Sequence, residues 1–303
     1  MIEYVDELVA KAAWYYYIEG MTQQSISEKL GISRMKVIKL LENAKENGVI
    51  QFRIAKSSGG LMSCEKALRD KYNLKDAYVI PSPSTDKPLN EILAQAAASY
   101  VASRITEQTF INMGYGDTPS RVLNHLATIA DIPISIVSMT GGVNYYLPNI
   151  QSNVFKAKLY LYPTPLLLSS KEVCDAIKQE PSVSEITRMT KLSSMSIVGM
   201  GSMSEEATII SNGILTKNYF TSLSMQGAVG DILTHFIDSD GNPIPTELED
   251  RLISTPLSEL KKMENVIGIA GGLHKVNIIK ATLCGGYIDE LITDEDTANA
   301  LLL

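Results

Sequence analysis

Short apolar runs alternate with amphipathic stretches beyond residue 60, and this alternation restricts the fold more than any other feature of the sequence. Strands joined through helices run parallel, so the pattern predicts an α/β domain with a mostly parallel, Rossmann-like sheet covered on both faces. The predicted strands are 77–80, 109–113, 134–139, 158–162, 195–200, 265–270 and 290–293. The predicted helices are 61–72, 89–105, 118–129, 171–179, 227–237 and 274–284.

Four loops that follow predicted strands are rich in glycine, and ligands bind such sheets at the carboxyl ends of the strands. The loops hold Gly114 to Thr118 (including Gly116 and Asp117), Thr140 with Gly141 and Gly142, Gly199 to Ser202, and Gly271 with Gly272. Glycine lets backbone N–H groups approach a phosphate, and a following helix N-terminus adds partial positive charge. Lys275 could supply a further charge. The alternatives are ordinary tight turns and a solvent-exposed lysine, because no loop has a Walker A or GxGxxG pattern.

The first sixty residues predict a helix-turn-helix. Thr22 is a good N-cap for one short helix, Gly31 ends it, and Ser33 caps the next, which Gly48 closes. Counted from Gln23 as position one, the apolar residues fall at the spacing that packs two helices at a steep angle. These residues are Ile26, Leu30, Ile32, Val37 and Leu40. Position five must be small, and it is Ser27 where alanine is usual.

The charge pattern places DNA binding on the second of these helices. The whole chain has a net charge of −7, yet residues 31–56 hold six Lys/Arg against two Glu. The N-terminal residues of a recognition helix reach base edges, and residues one or two turns later reach phosphates. The candidate DNA contacts are Thr22, Gln23, Ser33, Arg34, Lys36, Val37, Lys39 and Asn43. The alternatives are a helical hairpin that binds nothing and a solvated helix face.

Two domains follow from the length and from the change in pattern. We predict a helix-turn-helix DNA-binding domain over 1–56 and an effector-binding and oligomerisation domain over 57–303. The segment 49–54 alternates like a short strand, and Lys56 to Gly60 is a plausible hinge.

Composition restricts the remaining function classes. The chain has no apolar run long enough for a membrane span and no signal-peptide pattern at its start, so we expect a cytoplasmic protein. Its three cysteines and three histidines are scattered without metal-ligand spacing. We therefore expect reduced thiols, no metal and no cofactor.

The motifs together resemble the SorC family of sugar-responsive bacterial transcriptional regulators. The resemblance is carried by AWYYYIEGMTQQSISEKLGISRMKVIKLLENAKENGVI, then GYGDT, TGG, VGMGS, GAVGDIL, GIAGGLHK and GGYIDELITDEDTA, and it extends over essentially the whole chain. Within the family, ATIISNG, GAVGDIL and GGYIDELITDEDTA are most similar to the branch that controls autoinducer-2 uptake.

The resemblance implies a DNA-binding regulator of a carbohydrate or autoinducer-2 uptake operon. It also implies a tetramer or dimer, and an effector domain similar to sugar-phosphate isomerases and deaminases that binds a phosphorylated sugar or polyol. Carried over, Gly116, Asp117 and Thr118 belong to the loop that faces the ligand, and Asp231 and Lys275 hold hydroxyl and phosphate groups. Many members have arginine in place of Asp117, so this chain lacks one phosphate-binding cation.

Two other functions compete with this one. The first is a phosphosugar isomerase or deaminase-like enzyme, whose acid–base pair would be Asp231 and His235, one turn apart on the predicted helix 227–237. The second is a regulator that answers an unphosphorylated polyol or no small molecule. The helix-turn-helix favours a regulator over an enzyme, and we predict no catalytic residues.

Overall fold

The computed structural model describes residues 2–46, 49–50, 56–83, 88–142, 157–204 and 207–303. The chain divides into two compact units, Met1–Gly59 and Gly60–Leu303. Each unit is described separately below.

The first unit contains three helices within its described residues: α1 (Ile2–Tyr17), α2 (Gln23–Leu30) and α3 (Arg34–Glu46). Thr22 Oγ1 accepts from the Ser25 N–H at 3.1 Å, so Thr22 is the predicted N-cap of α2. Gly31 ends α2 in the left-handed conformation, with φ 65°, which a glycine adopts without strain. The predicted helix-turn-helix is confirmed in both its helices and its turn.

The core of this unit is formed by the residues that the helix-turn-helix spacing selected. Ile26, Val37 and Leu40 are buried together with Val9, Ala12 and Ala13 of α1, and Leu30 and Ile32 pack against them. Ser27, at the position where alanine is usual, is 7% exposed. Its hydroxyl donates to the Gln24 carbonyl oxygen, so the buried hydroxyl has a hydrogen-bond partner. Of the predicted strand 49–54, Val49 and Ile50 form a bend, and 51–54 lie outside the described residues.

The second unit is built on a seven-stranded sheet in the order β1-β10-β9-β5-β2-β3-β4, in which every neighbouring pair is parallel. The strands are β1 (Asp76–Ile80), β2 (Phe110–Met113), β3 (Ile134–Ser138), β4 (Ala157–Tyr160), β5 (Met195–Gly199), β9 (Val266–Ile269) and β10 (Glu290–Asp294). All seven predicted strands are confirmed to within two residues at each end, and so is the α/β class.

Helices cover both faces of this sheet, as a parallel sheet requires. Two helices, α5 (Leu89–Ala102) and α6 (Asp117–Ile129), pack against one face in a core that includes Ile111 and Ile197. Three others, α4 (Lys56–Tyr72), α12 (Val276–Cys284) and α13 (Glu295–Leu302), contribute to the core on the other face. Two more helices, α7 (Lys171–Lys178) and α8 (Pro181–Leu192), share a smaller core with Val137 of β3, Tyr162 and Ile253.

The predicted helix 227–237 is wrong. The segment forms β7 (Gly230–Ile232) and β8 (His235–Ile237), an antiparallel hairpin that β6 (Gly201–Ser202) extends to three strands. Its apolar residues Ile232 and Phe236 are spaced like one helix face, but Leu233 and Thr234 have φ values of 53° and 71° and turn the chain back. Three further short helices complete the unit: α9 (Thr208–Ser211), α10 (Lys217–Met225) and α11 (Leu257–Leu260).

The predicted hinge, Lys56 to Gly60, is helical and begins α4, and the boundary between the two units falls within it, after Gly59. Burial of Leu68 and packing of Leu61 against the same core stabilise the helix. This packing offsets the cost of about 1 kcal/mol that each glycine adds to a helix.

Candidate functional site

A cavity of about 650 Å³ opens at the carboxyl ends of β2 and β5. Beyond β2 the sheet continues through β3 to β4, whereas beyond β5 it continues through β9 to β10. The cavity therefore lies where the strand order reverses, which is where open α/β sheets bind ligands. Its described lining comes from the loop after β2, the β5–β6 loop, α9, the β7–β8 hairpin and the residues before α12.

One wall of the cavity is the N-terminus of α6. Gly116, Asp117 and Thr118 line it, and Gly116 has a φ of 138° that favours glycine. The N–H groups of Asp117 and Thr118, in the first turn, donate to no atom of the described residues. Such N–H groups, with the positive end of the helix dipole, attract an anion.

The Asp117 carboxylate on this wall is compensated by a basic neighbour. Arg121, one turn along α6, donates through Nε to both carboxylate oxygens at 2.9 and 3.0 Å, and Asn90 Nδ2 donates at 3.0 Å. Arg121 also pairs with Glu91, and this contact, followed by that with His125, lowers the pKa of the Glu91 carboxyl. The Asp117 carboxylate is therefore held by hydrogen bonds from Arg121 and Asn90, and Asp117 lines the cavity.

The opposite wall carries a buried carboxylate, Asp231 of β7. Burial raises the pKa of Asp231 to about 6, although the Thr234 N–H, which donates to Oδ2 at 3.1 Å, and the charges of Lys275 and His235 act in the opposite direction. A Cβ on Gly201 would lie 2.2 Å from Asp231 Oδ1, so only glycine lets the β6 backbone pass under this carboxylate. Asp231 lines the cavity as a desolvated hydrogen-bond acceptor.

Lys275 lines the same cavity and ends a short 3₁₀ turn, Leu273–Lys275, just before α12. Among the described residues its ammonium group has no hydrogen bond and no ion pair within 4.0 Å. Burial lowers the pKa of Lys275, and the attraction of Asp117 and Asp231 opposes that shift. A cation that is desolvated and unpaired favours an anionic ligand group.

The structure thus brings together five of the eight predicted effector residues: Gly116, Asp117, Thr118, Asp231 and Lys275. The other three, Gly114, Gly141 and Gly142, do not line the cavity. Gly114 N–H donates to the Ile197 carbonyl oxygen in the sheet, and Gly142 N–H donates to that of Thr164. A Cβ on Gly141 would lie 2.4 Å from the Pro165 carbonyl oxygen. These glycines pack against neighbouring backbone and do not border the ligand space.

The predicted acid–base pair of Asp231 and His235 does not form on a helix. Asp231 faces Phe236 across the hairpin, and His235 is not among the residues that line the cavity. Both nitrogens of the His235 ring have other partners: Nδ1 lies 2.8 Å from the Glu249 carboxylate, and Nε2 lies 3.0 Å from the Thr255 carbonyl oxygen.

Further residues also line the cavity. Tyr115 and Gly199 to Ser202 belong to two of the glycine-rich loops that the sequence predicts at this end of the sheet. Asn90 of α5 and the α9 residues Thr208 and Ile209 gave no signal, because they reach the cavity only through tertiary packing. The described part of the chain contains no cluster of three or more His, Cys, Asp or Glu that could hold a metal ion.

The second candidate site is the exposed surface of α3 with the start of α2. Seven of the eight predicted DNA contacts have exposed or half-exposed side chains: Thr22, Gln23, Ser33, Arg34, Lys36, Lys39 and Asn43. The prediction for Val37 is wrong, because its side chain is fully buried in the core of the unit and cannot reach DNA. Gln23 Oε1 accepts from Arg34 Nε at 3.4 Å, which joins the first turns of α2 and α3.

Comparison with known proteins agrees with this arrangement. The family model for sugar-binding domains (Sugar-bind) matches residues 56–303. The chain is 34% identical to the transcriptional regulator LsrR of Escherichia coli K12, over 98% of this chain and 95% of that protein. It is 33% identical to LsrR of Klebsiella pneumoniae, over 98% of this chain and 93% of that protein. The full-length sorbitol operon regulator SorC of Klebsiella pneumoniae superposes with a TM-score of 0.72 at 25% identity, covering 98% of each chain.

A helix-turn-helix unit joined to an α/β sugar-binding unit defines a ligand-responsive DNA-binding regulator. The chain belongs to the SorC family of sugar-responsive transcriptional regulators, and within that family it is LsrR-like. Among the described residues, no helix is both long enough and apolar enough to cross a bilayer.

Proposed function

We propose that this protein is a cytoplasmic, non-enzymatic regulator of a carbohydrate or autoinducer-2 uptake operon. A small phosphorylated sugar or polyol, bound in the cavity at the carboxyl ends of β2 and β5, controls its affinity for operator DNA. The observation that carries the proposal is Lys275, which lines the same cavity as the first turn of α6, is half-buried and has no ion-pair partner among the described residues. Together they offer a charge and two N–H groups to a phosphate, and Asp117 and Asp231 accept hydrogen bonds from hydroxyl groups.

Operator binding is assigned to α3. Its N-terminal residues Ser33, Arg34 and Lys36 are exposed, and so are Lys39 and Asn43 further along. A single unit of this kind reaches one half-site, so we infer that the protein binds paired half-sites as a dimer or tetramer.

The geometry of Asp231 and His235 supports a regulator rather than an isomerase. Proton transfer needs an acid and a base that both reach the substrate. Here the ring nitrogens of His235 contact Glu249 and Thr255, and His235 does not line the cavity. Asp231 therefore lacks His235 as a second acid–base group at the ligand.

The test is calorimetry with ribose 5-phosphate, phosphorylated 4,5-dihydroxy-2,3-pentanedione and the two dephosphorylated compounds. For whichever phosphate binds, Lys275→Ala is expected to weaken affinity by about 1.5–3 kcal/mol, the range for a hydrogen bond to a charged group. The dephosphorylated compound should change much less.

Lys280→Ala is the matched control, because Lys280 is an exposed lysine on the adjoining helix α12. It removes the same charge outside the cavity and should leave both affinities unchanged. If Lys275→Ala weakens the affinities for the phosphorylated and the dephosphorylated compound equally, then Lys275 does not bind a phosphate group. Tight binding of the parent compounds alone would instead favour the unphosphorylated polyol.

A further inference from the structure

Two walls of the effector cavity, the one formed by α6 with the loop after β2 and the one formed by α9, belong to different hydrophobic cores. The loop after β2 and α6 pack on the core under the main sheet, which includes Met113 and Val122. The facing wall, Ala207–Gly213 around α9, packs through Ile209 into a separate core with Phe220 and Phe236. Because Ile209 is not part of the core that holds Met113 and Val122, a hydrogen bond between these two walls would fix the distance between them.

Tyr115 makes such a contact. Its side chain comes from the loop after β2 and lines the cavity, and its hydroxyl donates to the Thr208 carbonyl oxygen of α9 at 3.4 Å. Asn212 Nδ2, just after α9, donates to the same hydroxyl oxygen. The hydroxyl proton and one lone pair are thus both used by the facing wall.

The protonation state of Tyr115 keeps this contact intact. Burial raises the pKa of Tyr115 to about 12, with a contribution from the Asp231 charge and an opposing one from Asn212. The phenol therefore stays neutral at physiological pH and remains a donor. Because its single proton is committed to Thr208, it is not available to a ligand in the cavity.

We propose that Tyr115 is a positioning residue that holds the α9 wall over the effector cavity, and that this contact controls how fast the effector dissociates. Ligand exchange then requires the Tyr115 hydroxyl to leave Thr208 and Asn212. Only the exchange part of this inference rests on the proposed function, because the contact between the walls exists without a ligand.

Two variants weaken the contact from opposite sides: Tyr115→Phe removes both hydrogen bonds, and Asn212→Ala removes the one that Asn212 donates. The matched control is Tyr162→Phe, which deletes a buried hydroxyl whose partner at 3.1 Å is Thr187, far from this cavity. In ligand-free protein, the amides of residues 210–213, which donate to carbonyl oxygens of Ala207, Thr208 and Ile210, should exchange about threefold to tenfold faster in both variants. They should be unchanged in the control.

The second measurement is the dissociation rate of bound ribose 5-phosphate or phosphorylated 4,5-dihydroxy-2,3-pentanedione by stopped flow. Each variant should raise this rate about threefold to tenfold. The double variant should raise it no further than Tyr115→Phe, since that variant already removes the hydroxyl to which Asn212 donates. Unchanged amide exchange in Tyr115→Phe and Asn212→Ala overturns the positioning role whether or not an effector binds. Multiplying effects in the double variant overturn it as well, because Tyr115 would then act on the ligand directly.

Discussion

Replacement of Asp231 by asparagine should stabilise the ligand-free protein and weaken its binding of the effector. Burial raises the pKa of this carboxyl from 3.8 to about 6, so at neutral pH the folded protein carries a charge that water would solvate better. A shift of about two units corresponds to about 3 kcal/mol. Asparagine has the same shape and can still accept from the Thr234 N–H, so we expect a gain of about 1–3 kcal/mol at pH 7.5.

The pH dependence has a definite sign. Below about pH 4 Asp231 is protonated in both the folded and the unfolded chain, and its charge costs nothing. Between about pH 4 and 6 the unfolded chain has lost this proton while the folded protein still holds it, so stability falls across this range and the loss is complete above it. The advantage of Asp231→Asn is therefore expected to appear between about pH 4 and 6 and to be complete above that range.

Calorimetric unfolding at pH 7.5 and at pH 4 measures both effects. For a domain of this size, about 1–3 kcal/mol raises Tm by about 3–9 °C at pH 7.5, with little change at pH 4. Asp240→Asn, at an exposed aspartate close to the same hairpin, removes an equal charge and should leave Tm unchanged. An equal rise of Tm at both pH values, or no rise at pH 7.5, would refute the assignment of a desolvated carboxylate. Effector affinity should fall in the same variant, because an amide accepts hydrogen bonds more weakly than a carboxylate.

Three further predictions concern DNA binding and the cavity. On a duplex selected from a random pool, Arg34→Ala should cost about 1–3 kcal/mol and relax specificity at one position, whereas Lys39→Ala should weaken all sequences alike and lower the salt slope by about one. Equal affinity of wild type and both variants in gel shifts at one salt concentration would contradict these roles. The full-length protein should sediment as an oligomer on duplexes with paired half-sites, and a monomer bound tightly to one half-site would exclude this arrangement. Gly201→Ala places a Cβ 2.2 Å from Asp231 Oδ1, so it should weaken effector binding, while Gly60→Ala, with no atom within 4 Å, should not.

The sequence alone determined the helix-turn-helix and the parallel sheet, because both depend on local signals. The caps at Thr22 and Gly31 satisfy or turn the backbone within a few residues, and the seven strands of the main sheet are short apolar runs. The cavity residues Asp117 and Lys275 could also be predicted from the sequence, since ligands bind at the carboxyl ends of parallel strands.

Only the tertiary structure decided how the second wall of the cavity is built. Residues 230–237 have helix-like apolar spacing, yet they form a hairpin because Leu233 and Thr234 take positive φ values in a turn whose Thr234 N–H is bound by Asp231. The same applies to glycine: Gly116 borders the ligand space, whereas Gly141 packs against the backbone of Pro165. Local sequence does not distinguish helix from hairpin, or a ligand-facing glycine from a packed one. Each outcome depends on which distant segment packs against the residue, and that packing is set by tertiary folding.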